Sequence, residues 1–195
     1  PASPRTQAAP AAPAGRQNNA ACIANVEAKE RAGTATGADL VAKGWCLLNA
    51  DRPQEAAIAF ERGKQAGGQR GQDAVYGQAL SELRSGETDR AAMTAEQGQL
   101  SPERRTDLGL QVLGQRIVAS YRAGRYMETL RLLDQRGMYG PETRDLAMLR
   151  GWALFHVGRK EAARRIFVEL DRQLSTNDTQ NAIAAVNNSL DPRPM

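Results

Sequence analysis

Between about residue 38 and residue 174, apolar side chains recur three and four positions apart, the spacing of one face of an α-helix. This periodicity predicts helices over 39–50, 55–65, 73–84, 102–123, 126–136, 141–157 and 160–174. The glycines Gly67-Gly68, Gly86, Gly98, Gly124, Gly137 and Gly158 fall between the periodic stretches, where a helix ends most easily. Ser101-Pro102-Glu103 and Gly140-Pro141-Glu142 each put a proline at a first helical position, with an acid beside the positive end of the helix. Alternating runs of β-branched residues are missing, so no strand is expected. A helix over 19–31 precedes the array. An amphipathic stretch over 182–190 follows it and must stop at Pro192.

The periodic stretches repeat. GWCLLNADRPQEAAIAF at 44–60 matches GWALFHVGRKEAARRIF at 151–167 in its Gly, Trp, Leu, Arg, Ala and Phe positions. Two degenerate copies lie between them. Each unit carries an apolar marker, a turn residue three positions later and a small residue five positions after that. The sets are Leu48, Asp51 and Ala56; Leu83, Gly86 and Ala91; Tyr121, Gly124 and Thr129; and Phe155, Gly158 and Ala163. The markers stand 35, 38 and 34 residues apart. A period in the thirties with two helices per period predicts stacked helical hairpins, since one hairpin cannot bury its apolar face alone. Gly44, Ala56, Gly151 and Ala163 allow close helix approach, and Trp45, Phe60, Trp152 and Phe167 are expected to fill the core between them.

This pattern resembles the tetratricopeptide repeat (TPR) family over roughly residues 38–174. The family's bulky and small positions fall on Trp45, Leu48, Ala56 and Phe60 in the first unit. In the last they fall on Trp152, Phe155, Gly158, Ala163 and Phe167. Gly124-Arg125-Tyr126 is similar to its Gly-Asp-Tyr turn. The chain departs from the family in a turn one residue shorter, in Asp51 for a glycine, in Thr129 for the small alanine and in Ala95 for a bulky residue. The implied architecture is an all-α helix-turn-helix repeat solenoid of about four TPR-like repeats with capping helices. Residues 1–17, ten of them Pro or Ala, are expected to be a disordered linker. Residues 18–174 form the solenoid with its N-terminal cap, and 175–195 the C-terminal cap and tail.

The resemblance implies a concave groove lined by the first helix of each hairpin. One position past each marker stand Asn49, Arg84, Arg122 and His156, with Ser81 and Gln115 beside them. Two arginines at equivalent places suit a carboxylate or another anion, and the alternative is ordinary solvated side chains. The family's chaperone-tail carboxylate clamp is missing.

Composition narrows the chemistry. The net charge is +4, with 22 Arg and only 4 Lys. An Arg-rich surface favours an acidic partner, or reflects codon usage. The basic doublets Arg104-Arg105, Arg159-Lys160 and Arg164-Arg165 lack the aromatic platforms of a nucleic-acid surface. His156 is the only histidine, no phosphate-loop motif occurs, and Glu27, Glu30, Glu82 and Glu87 read as helix-surface charges. No enzyme, cofactor or metal site is expected, and no run of about 18 apolar residues predicts a transmembrane segment.

Cys22 and Cys46 lie about equally far from the expected interhelix turn near residue 34, so they come level in an antiparallel hairpin. They form either a disulfide, which implies an oxidising compartment, or two buried thiols. Together these readings give a non-catalytic protein–protein interaction scaffold of a bacterial periplasm or cell envelope. Its repeat style resembles the periplasmic part of exopolysaccharide-export and receptor proteins. The alternatives are a module binding an anionic polysaccharide or nucleic acid through the Arg-lined groove, and a cytoplasmic location.

Overall fold

The computed structural model describes residues 14–191, and in them all regular structure is helical. The chain divides into two compact units at Leu108/Gly109. The first contains α1 (Ala14–Arg31), α2 (Gly37–Asn49), α3 (Pro53–Gly63), a 3-10 turn (Lys64–Ala66), α4 (Gly68–Arg84), α5 (Thr88–Gln97) and the start of α6 (Pro102–Arg122). The second contains the rest of α6, α7 (Tyr126–Gly137), α8 (Arg144–His156), α9 (Lys160–Gln173) and α10 (Asn177–Leu190). In the first unit each of α1 to α4 packs on the next helix, and α2 also meets α4. In the second, α7 packs on α8, α8 on α9 and α9 on α10.

One turn recurs four times. Asp51, Gly86, Gly124 and Gly158 all take positive φ, at 58°, 80°, 72° and 82°. In each, the next residue's N–H reaches back to a carbonyl five positions earlier: Arg52 to Leu47, Glu87 to Glu82, Arg125 to Ser120 and Arg159 to Leu154. That bond satisfies a carbonyl which the end of a helix leaves orphaned. Asp51 takes the left-handed conformation without being glycine, which a short polar side chain tolerates best. The small residues that follow, Ala56, Ala91, Thr129 and Ala163, are all fully buried. Thr129 stands in for alanine because Ser120 on α6 offers its hydroxyl a partner at 2.8 Å.

Ring and backbone share space in both units. A Cβ on Gly44 would lie 2.7 Å from the Phe60 ring, and one on Gly77 would lie 2.4 Å from it. A Cβ on Gly151 would come within 2.3 Å of the Phe167 ring. Both phenylalanines are fully buried. Beside them, Trp45 meets Phe60 at 5.0 Å and Trp152 meets Phe167 at 5.1 Å between ring centroids. The tryptophans themselves are only half-buried, a correction to their expected place in the core.

The cysteines are joined. Cys22 on α1 bridges Cys46 on α2, with Cα atoms 6.4 Å apart. Closing a loop with a sequence separation of 24 removes about 3 kcal/mol of chain entropy from the unfolded state, in the loop-entropy model. Ion pairs flank the bridge. Lys43 on α2 reaches Glu30 at 2.6 Å and Glu27 at 3.5 Å, and Arg62 on α3 also holds Glu30. Lys29 meets Asp39 at 2.6 Å. Asp39 doubles as the reciprocal cap of Thr36 at the start of α2. Hydrogen bonds from Lys29 and then Thr36 hold its carboxyl well below the usual carboxylate range.

The helices α1, α4, α8 and α10 start elsewhere than the periodicity predicts, α4 at Gly68 and not at residue 73, and α5 is not predicted by it at all. Helix α1 begins at Ala14, inside the stretch expected to be linker, and residues 1–13 of that linker lie outside the described residues. Helix α5 carries mostly alanine on its inner face (Ala91, Ala95), too small a pattern to register as periodic. Helix α8 starts at Arg144 and not at Pro141. The carbonyls of Gly140 and Pro141 accept from Arg136, and Glu142 is drawn to Arg150, so the expected proline start is never made. Helix α10 begins at Asn177, inside a polar run, because Thr176 and Thr179 cap each other reciprocally.

The shared space at the glycines makes a direct test. Gly151→Ala should lower stability by about 1–3 kcal/mol through overpacking against Phe167. Gly109→Ala, with open space around its Cβ and within α6, should raise stability by about 0.5–1 kcal/mol through helix propensity. Urea titrations followed by circular dichroism read both.

Candidate functional site

The most built surface of the second unit lies along one face of α8. Asp145, Met148, Leu149, Trp152 and His156 follow at helical spacings and so share that face. Phe167 lies on Gly151 behind it, so α9 buttresses α8 where Trp152 emerges. Helix α10 docks through Ala182 and Val186, which join Ala163 and Phe167 in one core. A cleft of about 380 Å³ is lined by Asp145, Met148, Leu149 and Trp152 of α8 and by Asp178 and Asn181 of α10. Its floor is apolar and its rim acidic. Asp145 and Asp178 are exposed. Arg144, next to Asp145, is turned away and donates to the carbonyls of Leu170 and Leu174 at the end of α9.

At the far end of the same face the exposed His156 stacks on Tyr126, with ring centroids 4.3 Å apart and planes 10° apart. Tyr121 meets both rings edge-on, at 5.5 Å from Tyr126 and 6.4 Å from His156. Burial pushes the Tyr121 phenol upward from its ordinary pKa.

In the first unit, a second cleft of about 310 Å³ has Ile58, Glu61, Glu82, Ser85, Glu87 and Arg90 among its lining residues. Glu82 is 1% exposed, which corrects its reading as a surface charge. It accepts from Gln78 at 2.9 Å and Thr94 at 2.7 Å, and Arg90 lies 3.4 Å away. A buried carboxylate requires such partners, and here they come from α4 and α5 themselves. The signal was present in the repeat. Glu82 stands one position before its marker, where the first repeat has the buried Leu47 and the third repeat the buried Ser120.

The residues expected to line a groove fall in both units and do different things. Asn49 is exposed on the first unit. Ser81 is fully buried and donates to the Gly77 carbonyl, so its hydroxyl is withdrawn from solvent. Arg84 donates to the Leu48 carbonyl at 3.0 Å, tying the end of α4 to the end of α2. In the second unit Gln115 is half-buried, Arg122 is exposed and His156 is held against Tyr126.

Arg84 therefore carries a structural task that Arg122 lacks. Arg84→Ala should cost about 1 kcal/mol, from a lost hydrogen bond at a helix C-terminus. Arg122→Ala should change stability by less than about 0.5 kcal/mol. Paired urea titrations of the two variants check the contrast.

Compared with family models, curated proteins and solved structures, the chain matches none.

Proposed function

We propose that this chain is a non-catalytic protein–protein interaction scaffold, built from four TPR-like hairpins, that works in an oxidising compartment such as a bacterial periplasm. The observation that carries the reading is the recurrence of one turn at residues 51, 86, 124 and 158, each with the same backbone bond and a fully buried alanine or threonine five positions after it. Repeated hairpins of this kind offer extended surfaces and no preorganised reaction centre, and they serve as docking frames. The Gly–Phe contact supports the same reading, because it recurs at 44/60 and at 151/167 in matching form. The Cys22–Cys46 bridge supports the compartment, since structural disulfides persist where thiols are not kept reduced. Among the described residues no helix is long and apolar enough to cross a membrane.

The acidic, half-apolar cleft of α8 and α10 favours a peptide segment over an anionic polymer. Its two carboxylates repel polyanions, and Arg84, the first-unit arginine expected to line the groove, donates to the Leu48 carbonyl. The partner therefore belongs to the protein class.

Photo-cross-linking from position 156, on the face of α8, should capture one discrete protein in living cells. The same reagent at Arg165, exposed on α9, should capture it far less. Equal capture from both positions, or from neither, would remove the scaffold reading. For the compartment, cells are quenched in acid and the chain is alkylated unfolded. Cys22 and Cys46 should resist alkylation until reductant is added, read by intact mass. Full alkylation without reductant would place the native chain in a reducing compartment.

A further inference from the structure

The first unit fills, with its own residues, a position that the second leaves open. In the first unit Arg104 at the start of α6 pairs with Asp73 on α4 at 2.6 Å. Its guanidinium lies over the Tyr76 ring, 5.0 Å from the centroid. Tyr76 in turn lies 6.4 Å from Trp45 and donates to Asp107 at 2.7 Å. Burial and then Asp107 push its phenol pKa up to about 12. An arginine thus sits between an acid and an aromatic wall, at a place where two first helices of successive hairpins meet.

Helices α4 and α10 present the same inner spacing. The inner positions of α4 include Ala74, Gly77, Gln78 and Ser81, and Thr179, Ala182, Ile183 and Val186 follow at the same spacing on the inner side of α10. On that register Asp178 stands where Asp73 stands, and Asn181 where Tyr76 stands. Trp152 already corresponds to Trp45 through the repeat. The second unit therefore carries the acid of the arginine seat and the indole that stands behind its ring, with Asn181 in place of Tyr76, so Trp152 is the aromatic surface left uncovered. It adds a second acid, Asp145, where the first unit has Ala38. Among the described residues neither Asp145 nor Asp178 has an ion-pair or hydrogen-bond partner, and no arginine of the unit covers the cleft. The cleft beside Glu82 is the contrasting case: its own Arg90 already occupies it.

We propose that the cleft between α8 and α10 is a receptor for an arginine side chain presented by a partner protein. The guanidinium takes the carboxylates of Asp145 and Asp178 and lies against Trp152, while its methylene stem covers Met148 and Leu149. A planar, weakly hydrated guanidinium suits this combination better than an ammonium, because it stacks on an indole and pairs bidentately with a carboxylate in the same pose. The inference rests on the scaffold reading above and specifies the chemistry of its partner, reversing the charge expected from the sequence.

The test uses the full chain and fluorescein-labelled nonapeptides carrying three arginines, or citrulline, lysine or glutamate in their place. Anisotropy should give the arginine peptide about tenfold tighter binding than its neutral citrulline isostere, with lysine between them. The advantage should shrink severalfold between about 50 and 300 mM salt, since the rim carboxylates are exposed. In ¹⁵N spectra the indole signal of Trp152 should move and that of Trp45 should stay. Asp145→Asn with Asp178→Asn should abolish the preference while leaving the fold intact by circular dichroism, with the melting temperature lowered only by the few degrees that two first-turn acids contribute. Equal binding of arginine and citrulline peptides would overturn the proposal, as would an unaffected double variant or a moving Trp45 signal. If a partner is cross-linked from position 156 while the arginine peptide shows no preference, the arginine seat falls and the scaffold stands. If the arginine peptide binds as described but no partner is captured, the seat stands and the scaffold reading falls.

Discussion

Much of this protein depends on how volume is divided between two facing positions in each hairpin, sixteen residues apart. Where the second helix brings a phenylalanine, the first helix brings a glycine: Phe60 over Gly44, and Phe167 over Gly151. Where the second helix brings Leu133 the first brings Ile117, and both are buried in one cluster. In the remaining hairpin the two positions hold Ala95 and Ala79, both buried. Interiors pack at near-crystalline density, so a ring is accommodated only if a Cβ is given up opposite it. The trade fixes the approach of the helices and decides what happens next door. The residue after each glycine, Trp45 or Trp152, cannot enter a space the phenylalanine already holds, and it stays half-exposed at the rim.

The turns supply the backbone counterpart of that packing. The same reversed bond and positive φ recur four times while the side chains around them change. Arg52 pairs with Glu55 and Arg125 with Glu128, three residues on in each case. The second hairpin exchanges the charges, with Glu87 pairing to Arg90. These exposed pairs contribute little individually, because water and salt screen them. The exchange matters for another reason: it lets Arg90 face the buried Glu82 as well as Glu87. A polar layer replaces the apolar Leu47 of the first hairpin; its carboxylate, Glu82, finds its partners within the hairpin, while the buried Gln78 Oε1 beside it has none.

The features legible in the sequence are those set by local chemistry. Positive-φ turns announce themselves through Gly86, Gly124 and Gly158, and the alignment of the apolar markers extends the inference to Asp51. The level placement of Cys22 and Cys46 followed from hairpin geometry, and the bridge is made. What escaped reading depends on long-range partners. Arg84 looks like a free groove residue until the Leu48 carbonyl, 36 positions away, is brought to it. Glu82 looks solvated until Gln78, Thr94 and Arg90 surround it. Pro141 looks like a helix start until Arg136 captures the carbonyls beside it. The acidic cleft of α8 and α10 was missed because Asp145 and Asp178 lie 33 positions apart, each in the first turn of its own helix, where an acid is unremarkable.

The clasp between α1 and α2 changes what a break in the chain means. The bridge closes a ring of covalent bonds around the exposed turn at Gly33 and Thr34. A protease that severs that turn opens the ring without dividing the molecule. The two pieces remain tethered through sulfur, with α1 held beside α2 at the local concentration of an intramolecular partner. Lys43, Arg62 and Lys29 continue to hold Glu30 and Asp39 in place. In a compartment rich in proteases, this exposed loop can be lost as a connection while the helix it connects is kept.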